Sequence, residues 1–270
     1  GPDGRVLGTD ADANAIAAGQ SKLAAYGERA VLRQAWLDET PALVSQLGFA
    51  PLNGALIDLG LSSNQLDNSE RGFSFMREGP LDMRFDQTRG QSAAELIEQL
   101  DVEGLSMILR EYGEVANARR VAEAIWAARP LRTTAALREV VAGVARSHRQ
   151  TRIHPATQVF QALRIAVNDE LRRVSETLPK LIGLLAATNR ATSPANGRLA
   201  VITFHSLEDR IVKQFITGNS RVEYDRRAPF AAPKAMKLKA LGRVRPGADE
   251  LAANARARSA IMRVAERTSA

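Results

Sequence analysis

The sequence predicts an α/β protein in which a parallel sheet is interrupted by a helical insertion. Three observations carry that reading. Short apolar runs alternate with helix-like stretches over residues 5–59, helical patterns stand alone from 92 to about 150, and strand signals return at "RLAVITF", 198–204. Such alternation produces a parallel sheet covered on both faces, because each crossover helix packs back onto the strands it joins.

In chain order, a strand at 5–10 ends on Asp10 and leads into a helix from about Asp12 to Tyr26, stopped by Gly27. A second strand spans 29–35, a short helix lies around 40–47, and a third strand spans 54–59 and carries Asp58 at its end. After Gly60 an irregular polar stretch begins. Its Phe73, Phe75, Met76, Leu81 and Met83 seek burial, so an ordered, functional loop is expected rather than disorder. Helices follow: Ser92 and Glu95 stand at capping-box spacing, Gly113 and Pro130 punctuate, and Thr134 opens another amphipathic run. A longer helix after His154-Pro155 puts Phe160, Leu163, Val167, Leu171 and Val174 on one face. The sheet is completed by 198–204 and by "SAIMRVAER" near the end.

Composition narrows the chemistry. Among 270 residues there is no cysteine, which removes disulfides, thiolate nucleophiles and cysteine-ligated metals. The histidines are His148, His154 and His205, so no metal site is expected. Asp10, Asp12 and Asn14 imitate the opening ligands of a calcium loop, but Ala15 and Ser21 occupy the places where that loop requires glycine and glutamate. No apolar run reaches the roughly 18 residues of a membrane span and no signal-peptide pattern is present, so a cytoplasmic location and no membrane partner are expected. Net charge is +7, and residues 219–270 hold 12 basic against 5 acidic side chains, a surplus of 7. A basic tail on a neutral body suits a polyanionic partner or, equally, is a solvated tail with none.

In open α/β sheets ligands bind beyond the carboxyl ends of the strands. Asp10 there suits the two hydroxyls of a ribose, since a carboxylate accepts both hydrogen bonds. Trp36 either stacks on a base or fills the core. Asp58 puts an acid at the tip of an apolar strand, where burial is costly without a ligand or hydrogen-bond network. Ser62, Ser63, Asn64 and Gln65 follow as neutral donors and acceptors, which hold a planar polar group or form a turn. In "FHSLEDR", Ser206 is the expected N-cap, with Glu208 and Asp209 at the positive end of the helix. His205 orients a substrate or satisfies a backbone carbonyl.

The runs "ALIDLGLSSNQLDNSERGFSFMREGPLDMR", "HPATQVFQALRIAVNDEL", "FHSLEDRIVK" and "NARARSAIMRVAER" closely resemble the bacterial small-subunit ribosomal RNA methyltransferase H family, also called MraW. The resemblance spans essentially the whole chain. It implies a Rossmann-like class I methyltransferase sheet with an inserted all-helical domain. It also implies S-adenosyl-L-methionine as cofactor and N4-methylation of a cytosine in the decoding region of 16S rRNA, with 16S rRNA or the small ribosomal subunit as partner. Expected boundaries are 1–88 and 160–270 for the catalytic domain and 89–159 for a helical domain that recognises RNA. The family's cofactor contacts fall on Asp10, Trp36, Asp58 and Gln65, the aromatic being more usually phenylalanine. Its Gly-Gly-His loop would precede residue 1, so weak cofactor binding is expected unless another segment supplies that turn.

Asp58 and Ser62 are the candidate catalytic residues. Arg71, Arg84, Arg164, Arg210, Lys213 and the basic tail are candidates for phosphate contacts. Two alternatives stand beside this reading: a non-catalytic RNA-binding or ribosome-associated protein and, further off, an NAD-dependent oxidoreductase sharing the strand–acid arrangement.

Overall fold

The computed structural model describes residues 3–145, 155–187, 196–221 and 235–269. His148, His154 and residues 222–234 of the basic tail lie outside the described residues. Two units divide the chain, one formed by Gly1–Gly60 with Leu171–Ala270 and the other by Leu61–Glu170.

The first unit begins with β1 (Val6–Asp10), α1 (Ala13–Leu23), β2 (Ala30–Gln34), α2 (Thr40–Gln46) and β3 (Gly54–Asp58). Asp12 starts α1 by accepting the Asn14 amide at 3.0 Å, as a short acid at an N-cap does. β1 and β2 pair in parallel from Val6↔Ala30 to Asp10↔Gln34. β3 belongs to a second sheet, whose strands come from the far end of the chain.

The second unit holds α3 (Ser63–Asp67), α4 (Ala93–Gln99), α5 (Val102–Gly113), α6 (Ala118–Ala127), α7 (Thr134–Ala145) and α8 (Pro155–Asn168). The expected boundaries of 89–159 are too narrow for it. The loop after Gly60 sends Phe73, Leu81 and Met83 into the same core as Ile97, Leu105, Ile125 and Leu163, so it folds with the helices. Gly72 closes that loop at φ 71°, and a Cβ there would sit 2.3 Å from the Pro80 carbonyl oxygen, which only glycine avoids.

The long helix expected after Pro155 is broken. Asp169 adopts φ 53° between α8 and α9 (Glu170–Leu184), so Phe160 and Leu163 serve the core of the helical unit while Val174 serves that of the other. The break is held by Asn168, only 1% exposed. Its Oδ1 accepts the Phe85 amide at 2.8 Å, and its Nδ2 donates to the carbonyls of Met83 (2.7 Å) and Arg164 (2.9 Å).

The first unit then resumes with α9, β4 (Arg198–Thr203), α10 (Ser206–Ser220), β5 (Leu238–Val244), α11 (Ala248–Ala253) and β6 (Ile261–Arg267). The second sheet has the order β3-β4-β6-β5. β3 and β4 are parallel, and β6 runs antiparallel to both β4 and β5. The expected parallel order holds for β3, β4 and β5, and β6 runs in the opposite direction in the gap one strand wide that the β4–α10–β5 crossover leaves.

Ile57, Leu199, Val201 and Ala265 share a core with Val174 and Leu178 of α9 and Val212 and Ile216 of α10. Among the described residues the faces of the sheets are covered only in part. Side chains alternate along a strand, and beside buried Ile57 stands Leu56, 68% exposed, while Val6 on β1 is 59% exposed. Among the described residues no helix is long and apolar enough to cross a membrane, and no cluster of three metal-binding side chains occurs.

Candidate active site at the strand tips

Three side chains named from the sequence lie at or just beyond the carboxyl ends of strands in the first unit. Asp10 ends β1 with its side chain exposed, and Oδ1 accepts the Asp12 amide at 2.8 Å. The Asp10 carbonyl takes the Ala35 amide at 2.9 Å, which ties the tip of β1 to the residue before Trp36. Trp36 is held on every side of its backbone: its amide donates to Glu39 Oε2 at 2.8 Å, and its carbonyl accepts from the Glu39 amide (3.0 Å) and Thr40 Oγ1 (3.3 Å). The Arg173 guanidinium lies 4.0 Å from the ring centroid and pairs with Asp38. Of the two roles open to Trp36, its 7% exposure accords with a core position, and its indole is fixed by a cation on one face.

Asp58 ends β3, and the ladder continues past it through the Leu59 amide to the Ile202 carbonyl at 3.1 Å. Its carboxyl stays accessible, yet the surrounding protein desolvates it in part. That burial, and then the negative charge of Glu208, raise its pKa above the ordinary aspartate value. Leu37, next to Trp36, packs against the core that holds Ile57, next to Asp58. One hydrophobic core thus supports both positions.

Glu208 was read from the sequence only as an acid favoured by a helix start; the structure gives it more to do. It is 1% exposed and accepts the amides of Phe204 (2.8 Å) and His205 (3.3 Å) through Oε2. His205, not Ser206, is the N-cap of α10, and its Nε2 lies 3.2 Å from Glu208 Oε1. The spacing is that of a capping box, hidden because histidine replaces the usual serine or threonine. Gly60, at φ 88°, lets the chain after Asp58 run beside the Phe204 ring, where a Cβ would stand 3.3 Å from Cδ2.

Ser62 and Gln65 belong to the other unit and cap α3. Ser62 Oγ accepts the Gln65 amide at 3.2 Å, and Gln65 Oε1 accepts the Ser62 amide at 3.0 Å.

Arg71, Arg84 and Arg164, expected as phosphate contacts, bond to acceptors within the helical unit. Buried Arg71 donates through Nη2 to the carbonyls of Arg84 (3.0 Å) and Phe85 (2.8 Å). Arg84 grips Asp82 at 2.9 and 2.8 Å, and Arg164 grips Glu170 at 2.7 and 2.9 Å. These bonds to protein acceptors brace the helical unit. Arg210 and Lys213 lie on α10, in the other unit.

Parallel strands joined by helices and acids at their carboxyl ends define a Rossmann-like α/β protein, the fold to which class I methyltransferases belong. Residues 1–268 match the MraW methylase family, and the chain belongs to it. It is 48% identical over 270 residues to the ribosomal RNA small subunit methyltransferase H of Methylibium petroleiphilum, covering 98% of this chain and 82% of that protein. The proteins of the same name from Delftia acidovorans (48% identical, 99% and 83% covered) and Polaromonas naphthalenivorans (49% identical, 98% and 83% covered) are similar to it to the same degree.

Proposed function

We propose that this chain transfers a methyl group from S-adenosyl-L-methionine to the exocyclic N4 of a cytosine in 16S rRNA. The observation that carries the reading is Asp58: an accessible carboxylate at the tip of an apolar strand, its pKa raised by partial burial and by Glu208. Membership of a methylase family and relatives named for small-subunit ribosomal RNA support the reaction class and substrate.

Asp10, exposed at the carboxyl end of β1, offers an adenosyl group a carboxylate for its ribose hydroxyls. When bound, the cofactor supplies a methyl group on a positively charged sulfur. The protein's task is to align the attacking nitrogen with that methyl more than to provide a strong acid or base.

Cytosine N4 is a poor nucleophile because its lone pair is delocalised into the ring. Asp58, accepting an N4 hydrogen, directs that lone pair and takes up the proton lost as the new N–C bond forms. A carboxylate with a raised pKa is the better proton acceptor. The base has to be unstacked to be reached, so the substrate is a single-stranded or flipped-out nucleotide.

Incubation with radiolabelled S-adenosyl-L-methionine and 16S rRNA or small subunits, followed by digestion to nucleosides, is expected to give N4-methylcytidine. Label on another base would refute the chemistry. Salt-dependent RNA binding with no label transferred would favour a non-catalytic RNA-binding protein.

A further inference from the structure

Among the described residues β5 is an edge strand of its sheet, and its charge distribution is unusual. Between Lys234 and Asp249 the sequence contains no acid, and Lys237, Lys239, Arg243 and Arg245 are all exposed. A bulge then changes where these cations point. Ala240 pairs with Ala265 but Gly242 pairs with Val264, so one residue, Leu241, is extra, and Arg243 comes to stand opposite Arg263. Without that extra residue Arg243 would lie on the other face of the sheet.

The face it joins is the one on which α10 packs. There Arg263 forms a two-pronged pair with Asp209, at 2.7 and 2.8 Å. This bond, assisted by the charges of Lys213 and Arg243, holds the Asp209 carboxyl below its ordinary range against the opposing effect of burial. Three cations therefore bear on one carboxylate whose two oxygens are already engaged by Arg263. On the opposite face Lys239 stands in register with Glu266, and that carboxylate accepts from Arg198 at 3.1 Å. Each face of the β5–β6 edge thus carries more positive than negative charge, held in place by backbone register. An incoming polyanion would relieve that repulsion.

We infer that the β5 edge, with Lys213 of α10, is a binding surface for the sugar-phosphate backbone of the RNA substrate, with Lys213, Lys239 and Arg243 as its phosphate contacts. The inference rests on the RNA substrate proposed above and adds the surface that holds it. A strand rises about 3.3 Å per residue, so the cations from Lys237 to Arg245 line roughly 25 Å of edge, enough for several phosphates.

The test is RNA binding by the whole chain as a function of salt, with a fluorescent single-stranded fragment of small-subunit rRNA. The triple variant Lys213→Gln, Lys239→Gln, Arg243→Gln removes exposed charges and leaves the Arg263–Asp209 pair intact; unchanged circular dichroism confirms its fold. Removing three phosphate contacts should lower the slope of log K against log salt by about 2 and weaken binding at least about tenfold near 0.1 M salt. Arg119→Gln in the helical unit should leave the slope unchanged. A triple variant with wild-type slope and affinity overturns the inference while leaving the proposed reaction untouched. A wild type that methylates no RNA overturns the proposed reaction itself. Tighter binding of polyglutamate than of RNA by the wild type overturns the assignment to RNA in favour of an acidic protein.

Discussion

The helical unit and the sheet unit spend their charged and apolar groups in opposite ways. In the helical unit Arg71, Arg84 and Arg164 are turned inward onto protein carbonyls and carboxylates, and Ile97, Leu105, Leu109, Ile125, Leu137 and Leu163 are fully buried. In the sheet unit Asp10 and Asp58 stand at strand tips, Lys213 and Arg243 crowd one carboxylate, and Val6, Leu56, Leu241 and Val244 are exposed. Both units have a packed core; the difference lies in the charged groups, which the helical unit turns onto its own acceptors and the sheet unit presents at strand tips and along a strand edge. Charge alone does not mark a binding residue; what matters is whether its donors are already used.

Core truncations should break this contrast most forcefully. Leu163→Ala in the helical unit removes a fully buried side chain and should cost about 2–5 kcal/mol in denaturant unfolding, whereas Leu56→Ala in the sheet unit should cost under about 1 kcal/mol. Equal losses would show that Leu56 is packed as tightly as Leu163. Next comes Asn168→Ala, which leaves the Phe85 amide and two carbonyls without their side-chain partner. A loss of about 1–3 kcal/mol is expected, with a lowered Tm.

Acid titration sharpens the comparison further. Asp82 in the helical unit is held low by its hydrogen bonds and ion pair with Arg84, which outweigh burial, and Asp209 in the sheet unit is held low by Arg263. A depressed folded pKa stabilises above the unfolded value, so both contributions are present above roughly pH 4 and fade as the pH falls through the depressed values. Arg84→Gln and Arg263→Gln should each lower Tm at pH 7 and converge on the wild type near pH 2.

The smallest stability effect has the opposite sign. Asp58 is held above its unfolded value, so its ionised form costs stability once the pH has risen through the raised pKa. Asp58→Asn should therefore raise Tm slightly at pH 7 and match the wild type near pH 3. A lower Tm for the variant at pH 7 would mean that the carboxylate is a structural partner.

Strands and helices were readable wherever one pattern served one core. The runs at 5–10 and 54–59 became β1 and β3 because apolar alternation and a terminal acid mark a strand tip locally. Three features were not readable because they depend on contacts distant in sequence. The continuous apolar face from Phe160 to Val174 concealed a break at Asp169, since two cores share that pattern and Asn168 turns the chain through bonds to residues more than eighty positions away. The antiparallel course of β6 follows from a gap left by β4 and β5. Glu208 went unrecognised because a histidine cap lacks the usual signature, and its influence on Asp58 arises only when β3 and β4 lie side by side. Among the candidate site residues, the strand-tip acids were legible by position, whereas arginine side chains carried no local sign of the acceptors that would claim them.

Turnover and cofactor affinity, measured side by side for Asp58→Asn, test the central claim most directly. If Asp58 takes the proton from the attacking amino group, kcat should fall about a hundredfold or more while the Kd for S-adenosylhomocysteine changes by less than about threefold. Equal losses in kcat and affinity would make Asp58 a cofactor ligand and contradict the account.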